Sequence, residues 1–189
     1  GDGTVDGTDC GPLIQPSAVE SMLFMVEDPL GKGPLLACGG YIPELEENVP
    51  SDTGGMSKNL NKGNFVTPTV LTGVTDSMRV WREEIFGPVA PIATFSGYGE
   101  EGESTALKLA NDTEYGLAAY VYTSNHPRFT RMAAGLEFGL IGYNSGVISN
   151  AAAPFGGVKQ SGMGREGGPE GLEEYTELQY IGAPNPFAG

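Results

Sequence analysis

From residue 65 onward, short apolar runs alternate with segments whose apolar residues recur at helical spacing, and this alternation constrains the fold more than any single motif does. Runs at 65–71, 89–95, 117–122 and 138–143 read as strands. The intervening segments at 76–82, 103–111 and 126–134 read as helices, with Asp76-Ser77 and Asn125 placed to cap the first and last of them. Pro91 interrupts the second strand run, because a proline cannot donate to a ladder. Such an order predicts an α/β fold with a mostly parallel sheet covered by helices.

Upstream of the alternation, Val19, Met22, Leu23 and Val26 give a helix over 17–27 one apolar stripe, with Ser17 as its cap and Pro29-Leu30-Gly31 as its stop. The polar, acidic stretch at 43–63 reads as a long loop. At the other end, 175–181 is strand-like but follows a glycine-rich stretch, so it is expected to pair outside the main sheet.

The chain has 189 residues, enough for one domain with a sizeable core. Ten Lys and Arg stand against 24 Asp and Glu, a net charge of -14. Nucleic acid and anionic membranes both select for a basic face, and the cations here are scattered singly, so neither is an expected partner. No apolar run approaches the roughly 20 residues of a membrane span, and the first residues lack a basic-then-apolar signal. The expected compartment is cytoplasmic, in keeping with two unpatterned cysteines.

Those cysteines offer no evident nucleophile. Cys10 follows Asp9 and precedes Gly11-Pro12, a turn where the neighbouring carboxylate opposes thiolate formation. Cys38 ends the run Leu35-Leu36-Ala37-Cys38 and is expected to be buried as a small hydrophobe. The single histidine, His126, is distant from both in sequence.

Gly162-Met163-Gly164-Arg165-Glu166-Gly167 matches the dinucleotide fingerprint G-x-G-x-x-G in letters only. That fingerprint leaves a strand, opens a helix and is followed about 20 residues later by an acid that holds the ribose. Here loop-like residues precede it and no acid occurs after Glu177, so its glycines are assigned to a tight, winding chain. A different motif carries chemistry. In Glu83-Glu84-Ile85-Phe86-Gly87-Pro88 a carboxylate stands two residues before a large ring, in a turn that leads into a strand. A carboxylate can accept both hydroxyl hydrogens of a ribose diol, and the ring can flank a flat nicotinamide.

With these residues in place, the chain resembles the C-terminal portion of an NAD(P)-dependent aldehyde dehydrogenase over nearly its whole length. The markers run in the family's order: Gly7-Thr8-Asp9 with Gly11-Pro12-Leu13-Ile14, then Gly63 with Phe65 and Pro68-Thr69, then the segment 83–88. Asn111-Asp112-Thr113-Glu114-Tyr115-Gly116-Leu117 follows, and after it Pro154-Phe155-Gly156-Gly157 with Lys159, Ser161-Gly162 and Gly164-Arg165-Glu166. Within the family, Gly142-Tyr143-Asn144-Ser145-Gly146-Val147-Ile148-Ser149 resembles the succinate-semialdehyde dehydrogenases.

The resemblance implies roles residue by residue. Glu84 would bind the nicotinamide ribose and Phe86 would lie beside the nicotinamide. Ser149 would help hold a substrate carboxylate, Phe155 would wall the aldehyde tunnel, and Glu166 would match an acid proposed as a proton relay. Read without the family, Ser149 is a turn serine, Phe155 a core ring, and Glu166 a partner for Arg165 or a solvated acid. The family's cysteine nucleophile, base glutamate, oxyanion asparagine, carboxylate-binding arginines and dinucleotide-binding domain all belong upstream of Gly1, so the chain alone is expected to be inactive. Residues 1–189 then form the C-terminal part of a catalytic domain, with 175–189 as an oligomerisation tail that Arg165 and Glu177 brace. The implied cofactor is NAD or NADP, the substrate a small aldehyde such as succinate semialdehyde, and the assembly a homo-oligomer. The rival expectation is a truncated or remnant product without catalysis that folds and associates with intact subunits.

Overall fold

The computed structural model describes residues 1–33, 35–42 and 63–184, so the long loop expected at 43–63 lies outside the described residues except for Gly63. The chain divides into two compact units, Gly1–Thr94 and Phe95–Gly189.

The first unit contains α1 (Pro16–Leu30), β1 (Leu35–Cys38), β2 (Thr69–Thr72), α2 (Arg79–Arg82) and β3 (Val89–Ile92). β2 is the central strand, antiparallel to β1 and parallel to β3. It is shorter than the run at 65–71 suggests, because Pro68 supplies no N–H to a ladder. Pro91 sits opposite Leu71 on β3, an outer strand of this sheet, where a missing donor is tolerated. β2 alternates buried Thr69 and Leu71 with half-buried neighbours, and Leu71 is fully enclosed. Around it gather Met22, Met25 and Val26 of α1, with Val66, Val74, Val80 and Val89. Thr69 is 2% exposed and its hydroxyl is satisfied twice, donating to Thr67 O at 2.8 Å and accepting from Gly40 N–H at 2.9 Å.

Two helix ends differ from the sequence expectation. α1 begins at Pro16, whose fixed φ suits a first helical position, and it runs through Pro29 to a cap at Gly31. Neither Asp76 nor Ser77 caps α2. Asp28, 51 residues earlier on α1, accepts the Arg79 N–H at 3.1 Å. Lys32 donating to the same carboxylate at 2.8 Å, followed by that Arg79 N–H, holds Asp28 below the ordinary carboxylate range.

The second unit contains α3 (Gly99–Asn111), β4 (Ala118–Val121), α4 (His126–Gly135), β5 (Leu140–Tyr143), a 3-10 turn (Lys159–Ser161) and α5 (Glu170–Glu173). β4 and β5 pair in parallel with α4 between them, the βαβ unit that the alternation predicts. Asn125 caps α4 as expected, its Oδ1 accepting the Arg128 N–H at 2.9 Å. Among the described residues, no apolar side chain of this unit is fully buried. No described helix is long and apolar enough to cross a membrane.

Glu103 joins α3 to α4. It takes two bonds from Arg131, both 2.7 Å, and one from Arg128 at 2.9 Å. These bonds, Arg131 first and Arg128 second, lower its pKa from 4.5 to about 2. A carboxyl whose pKa falls on folding stabilises the fold above its unfolded value, and that contribution is lost as pH drops through the folded value. Glu103→Gln is therefore expected to lower Tm near neutral pH. The gap between the two proteins should close between about pH 5 and about pH 2. Thermal melts of both proteins across that range check it.

Candidate functional site

Glu84 and Phe86 lie on the turn between α2 and β3, and the residues alternating with them explain how they are presented. Ile85 packs against the core, and a Cβ on Gly87 would collide with Met22 Sδ, so Gly87 is seated against α1. Pinning those two positions turns Glu84 and Phe86 outward. Phe86 is 81% exposed, in a turn that is otherwise anchored. Glu83, the like-charged neighbour, is ion-paired with Arg79 one helical turn earlier, and Arg79 stacks over the Phe24 ring at 4.6 Å. Among the described residues, no hydrogen bond or ion pair engages the Glu84 carboxylate. The turn thus offers a free carboxylate and a free ring on a fixed backbone.

Ser149, Phe155 and Glu166 belong to the second unit. Ser149 is exposed on the irregular segment after β5. Phe155 is 37% exposed rather than a core ring, and its backbone pairs with Glu166 through two hydrogen bonds of 2.7 Å. The structure therefore joins the expected tunnel residue to the expected relay acid, with the Glu166 side chain exposed.

The glycine-rich run 162–168 is a winding turn without a preceding strand, as its flanks predict. Gly162, Gly164, Gly167 and Gly168 all have positive φ. Arg165 closes this turn: its guanidinium donates to Gly157 O at 2.8 Å and Gly164 O at 2.6 Å, and its N–H donates to Glu174 Oε1 at 3.3 Å. Within the described chain these bonds, and not an ion pair with Glu177, engage Arg165. Residues 175–181 form no strand within the described chain, for a strand needs a neighbouring edge and none reaches them. Tyr175, Leu178, Tyr180 and Ile181 are 78% exposed or more.

Cys38 corrects its expectation. It is exposed, because β1 is an outer strand of its sheet and bulges between Leu36 and Cys38. Cys10 is partly covered, its Sγ 3.6 Å from Gly11 O. His126 rests against the rings of Phe129 and Tyr143. Among the described residues, no group of His, Cys, Asp or Glu is set to hold a metal ion.

The markers at 111–117 and 159–161 prove to be one staple. Lys159 Nζ donates to Asn111 O at 3.0 Å and Thr113 O at 3.2 Å and pairs with Glu137 at 2.7 Å. Gly116 N–H donates to Ser161 Oγ at 2.9 Å, and a Cβ there would sit 2.6 Å from Glu137 O. Sequence reasoning gave these residues no role. The signal is a lysine and a serine two apart in a turn.

The aldehyde dehydrogenase family model matches residues 1–181. A succinate-semialdehyde dehydrogenase from Paenarthrobacter nicotinovorans is 45% identical over 187 residues, covering 99% of this chain and 37% of that protein. An NADP(+) succinate-semialdehyde dehydrogenase from Escherichia coli (strain K12) is 41% identical over 181 residues, covering 96% of this chain and 33% of that protein. The crystal structure of succinate-semialdehyde dehydrogenase from Burkholderia pseudomallei superposes with a TM-score of 0.77 at 44% identity, covering 92% of this chain and 32% of that one. The chain thus spans about a third of the length of the proteins it matches.

Proposed function

The chain belongs to the aldehyde dehydrogenase family, and from that premise we propose that it is the C-terminal portion of the catalytic domain of an NAD- or NADP-dependent enzyme that oxidises succinate semialdehyde to succinate. The observation that carries this reading is the turn at 83–88, where Ile85 and Gly87 are held inward while Glu84 and Phe86 stand free. A free carboxylate and an exposed ring fit a nicotinamide riboside: Glu84 accepts the two ribose hydroxyls and Phe86 flanks the flat ring. When bound, the cofactor supplies the hydride acceptor.

The other roles follow the same family correspondence. Ser149 donates its hydroxyl to the substrate carboxylate, Phe155 walls the aldehyde site, and Glu166 moves a proton beside it. Exposed Tyr175, Leu178, Tyr180 and Ile181 suit a tail at 175–189 that pairs with another subunit of a homo-oligomer. Names of relatives support the substrate assignment, and the NADP(+) named for the Escherichia coli relative supports a nicotinamide cofactor.

Incubation with succinate semialdehyde and either cofactor tests the proposal. The complete enzyme should form reduced cofactor and the isolated 189-residue chain none. Ser149→Ala in the complete enzyme should lower kcat/KM for succinate semialdehyde more than for butanal, because a hydroxyl rewards a carboxylate and offers little to a methyl group. Turnover by the isolated chain, or equal losses on both aldehydes, would contradict the assignment.

A further inference from the structure

The segment 145–153, which carries Ser149, leaves the sheet at a residue of unusual geometry. Asn144 follows β5 with φ of 51°, in the left-handed region that asparagine tolerates better than most residues. Its N–H donates to Val121 O at 3.0 Å, the last main-chain rung between β4 and β5. Beyond that rung the side chain continues the pairing. Oδ1 accepts the Thr123 N–H at 2.8 Å and Nδ2 donates to Thr123 O at 2.9 Å. A primary amide offers one acceptor and two donors, so it stands in for the next residue of the strand while the backbone turns away.

Little else fixes the near end of this segment. Val147 is 79% exposed, and Ser149, Asn150, Ala151 and Ala152 are exposed too. Ser145 Oγ bonds with Val147, and Asn150 Oδ1 with the Ala152 N–H, which shapes the loop locally without tying it to the sheet. Ser145, Ile148 and Ala153 are half-buried, and Ile148 lies close to Gly142. The far end is held by the glycine turn, through Gly168 N–H to Ala151 O at 3.3 Å and the Phe155–Glu166 pair.

We infer that Asn144 is a positioning residue for substrate selection: its amide clamp on Thr123 fixes where the segment bearing Ser149 departs from β5. It touches no substrate and acts through the loop. The inference rests on the roles proposed above for Ser149 and Phe155.

Two variants separate the clamp from the backbone conformation. Asn144→Gly keeps the left-handed backbone and removes the amide, while Asn144→Asp keeps the acceptor and removes the donor. Hydrogen exchange on the 189-residue chain reads the clamp. In Asn144→Gly, exchange over 145–153 should quicken by about tenfold with 69–72 unchanged, and Asn144→Asp should fall between. Steady-state kinetics on the complete enzyme read the function. The kcat/KM ratio of succinate semialdehyde to butanal should fall about five- to tenfold in Asn144→Gly, chiefly through KM. Unchanged exchange over 145–153 overturns the clamp, and faster exchange with an unchanged ratio overturns the role in selection. A wild-type enzyme with no preference for the carboxylated aldehyde sinks the substrate reading separately. The positioning role is then supported or overturned by whether Asn144→Gly alters discrimination between short and long uncharged aldehydes, which Phe155 would set.

Discussion

Glu84→Gln in the complete enzyme is expected to slow hydride transfer far more than it weakens cofactor binding. The substitution keeps the side chain's shape and removes its charge, so the two bonds to a ribose diol lose their charge-assisted strength. The expected loss is on the order of 2 to 4 kcal/mol, about 30- to 1000-fold in rate, with water offsetting part of it. Binding is spared because the rest of a dinucleotide is held elsewhere, whereas the orientation of the nicotinamide depends on its own ribose. The fixed turn sharpens the expectation: with Ile85 packed on the core and Gly87 against Met22, the backbone has no room to shift and compensate. Single-turnover kinetics separate the hydride step from binding, and an unchanged step would remove Glu84 from the site.

Leu71→Ala should be the most damaging substitution in the first unit. Leu71 is fully enclosed at the centre of β2, between two neighbouring strands and beneath α1 residues of the same core. Truncation removes apolar contacts and leaves a cavity that a paired central strand cannot collapse into, at a cost of about 2 to 5 kcal/mol. Ile14 is 92% exposed, and Ile14→Ala should change stability by less than about 0.5 kcal/mol. Urea denaturation of the three proteins checks both values. A loss below about 1 kcal/mol for Leu71→Ala would mean that the core lies elsewhere.

What the sequence disclosed, and what it hid, divides by how local the physics is. Asn125 and α4 were legible because a cap and its N–H partner lie three residues apart. The alternation of β4, α4 and β5 was legible because periodicity is a property of neighbours. The cap of α2 was hidden, since Asp28 arrives from 51 residues away while Asp76 and Ser77 offered a closer, unused alternative. Exposure of Cys38 was hidden for a related reason: an apolar run looks the same on a central strand and on an outer one. The tail at 175–181 has strand composition, but composition does not supply an edge. In the candidate site, the 83–88 motif and the family resemblance single out Glu84 and Phe86 as candidates, and the structure adds the inward anchors Ile85 and Gly87. Lys159 and Ser161 were visible only as family markers, because carbonyl partners such as Asn111 O and Thr113 O leave no trace in side-chain chemistry.

The most direct test of the cofactor role is hydrogen exchange over residues 83–88 of the complete enzyme, with and without NAD+ or NADP+. Cofactor binding is expected to slow exchange in this turn, because a ribose held by Glu84 and a ring beside Phe86 cover the residues of the turn that are open to solvent. Exchange at 83–88 that stays unchanged while cofactor protects other parts of the enzyme would contradict it.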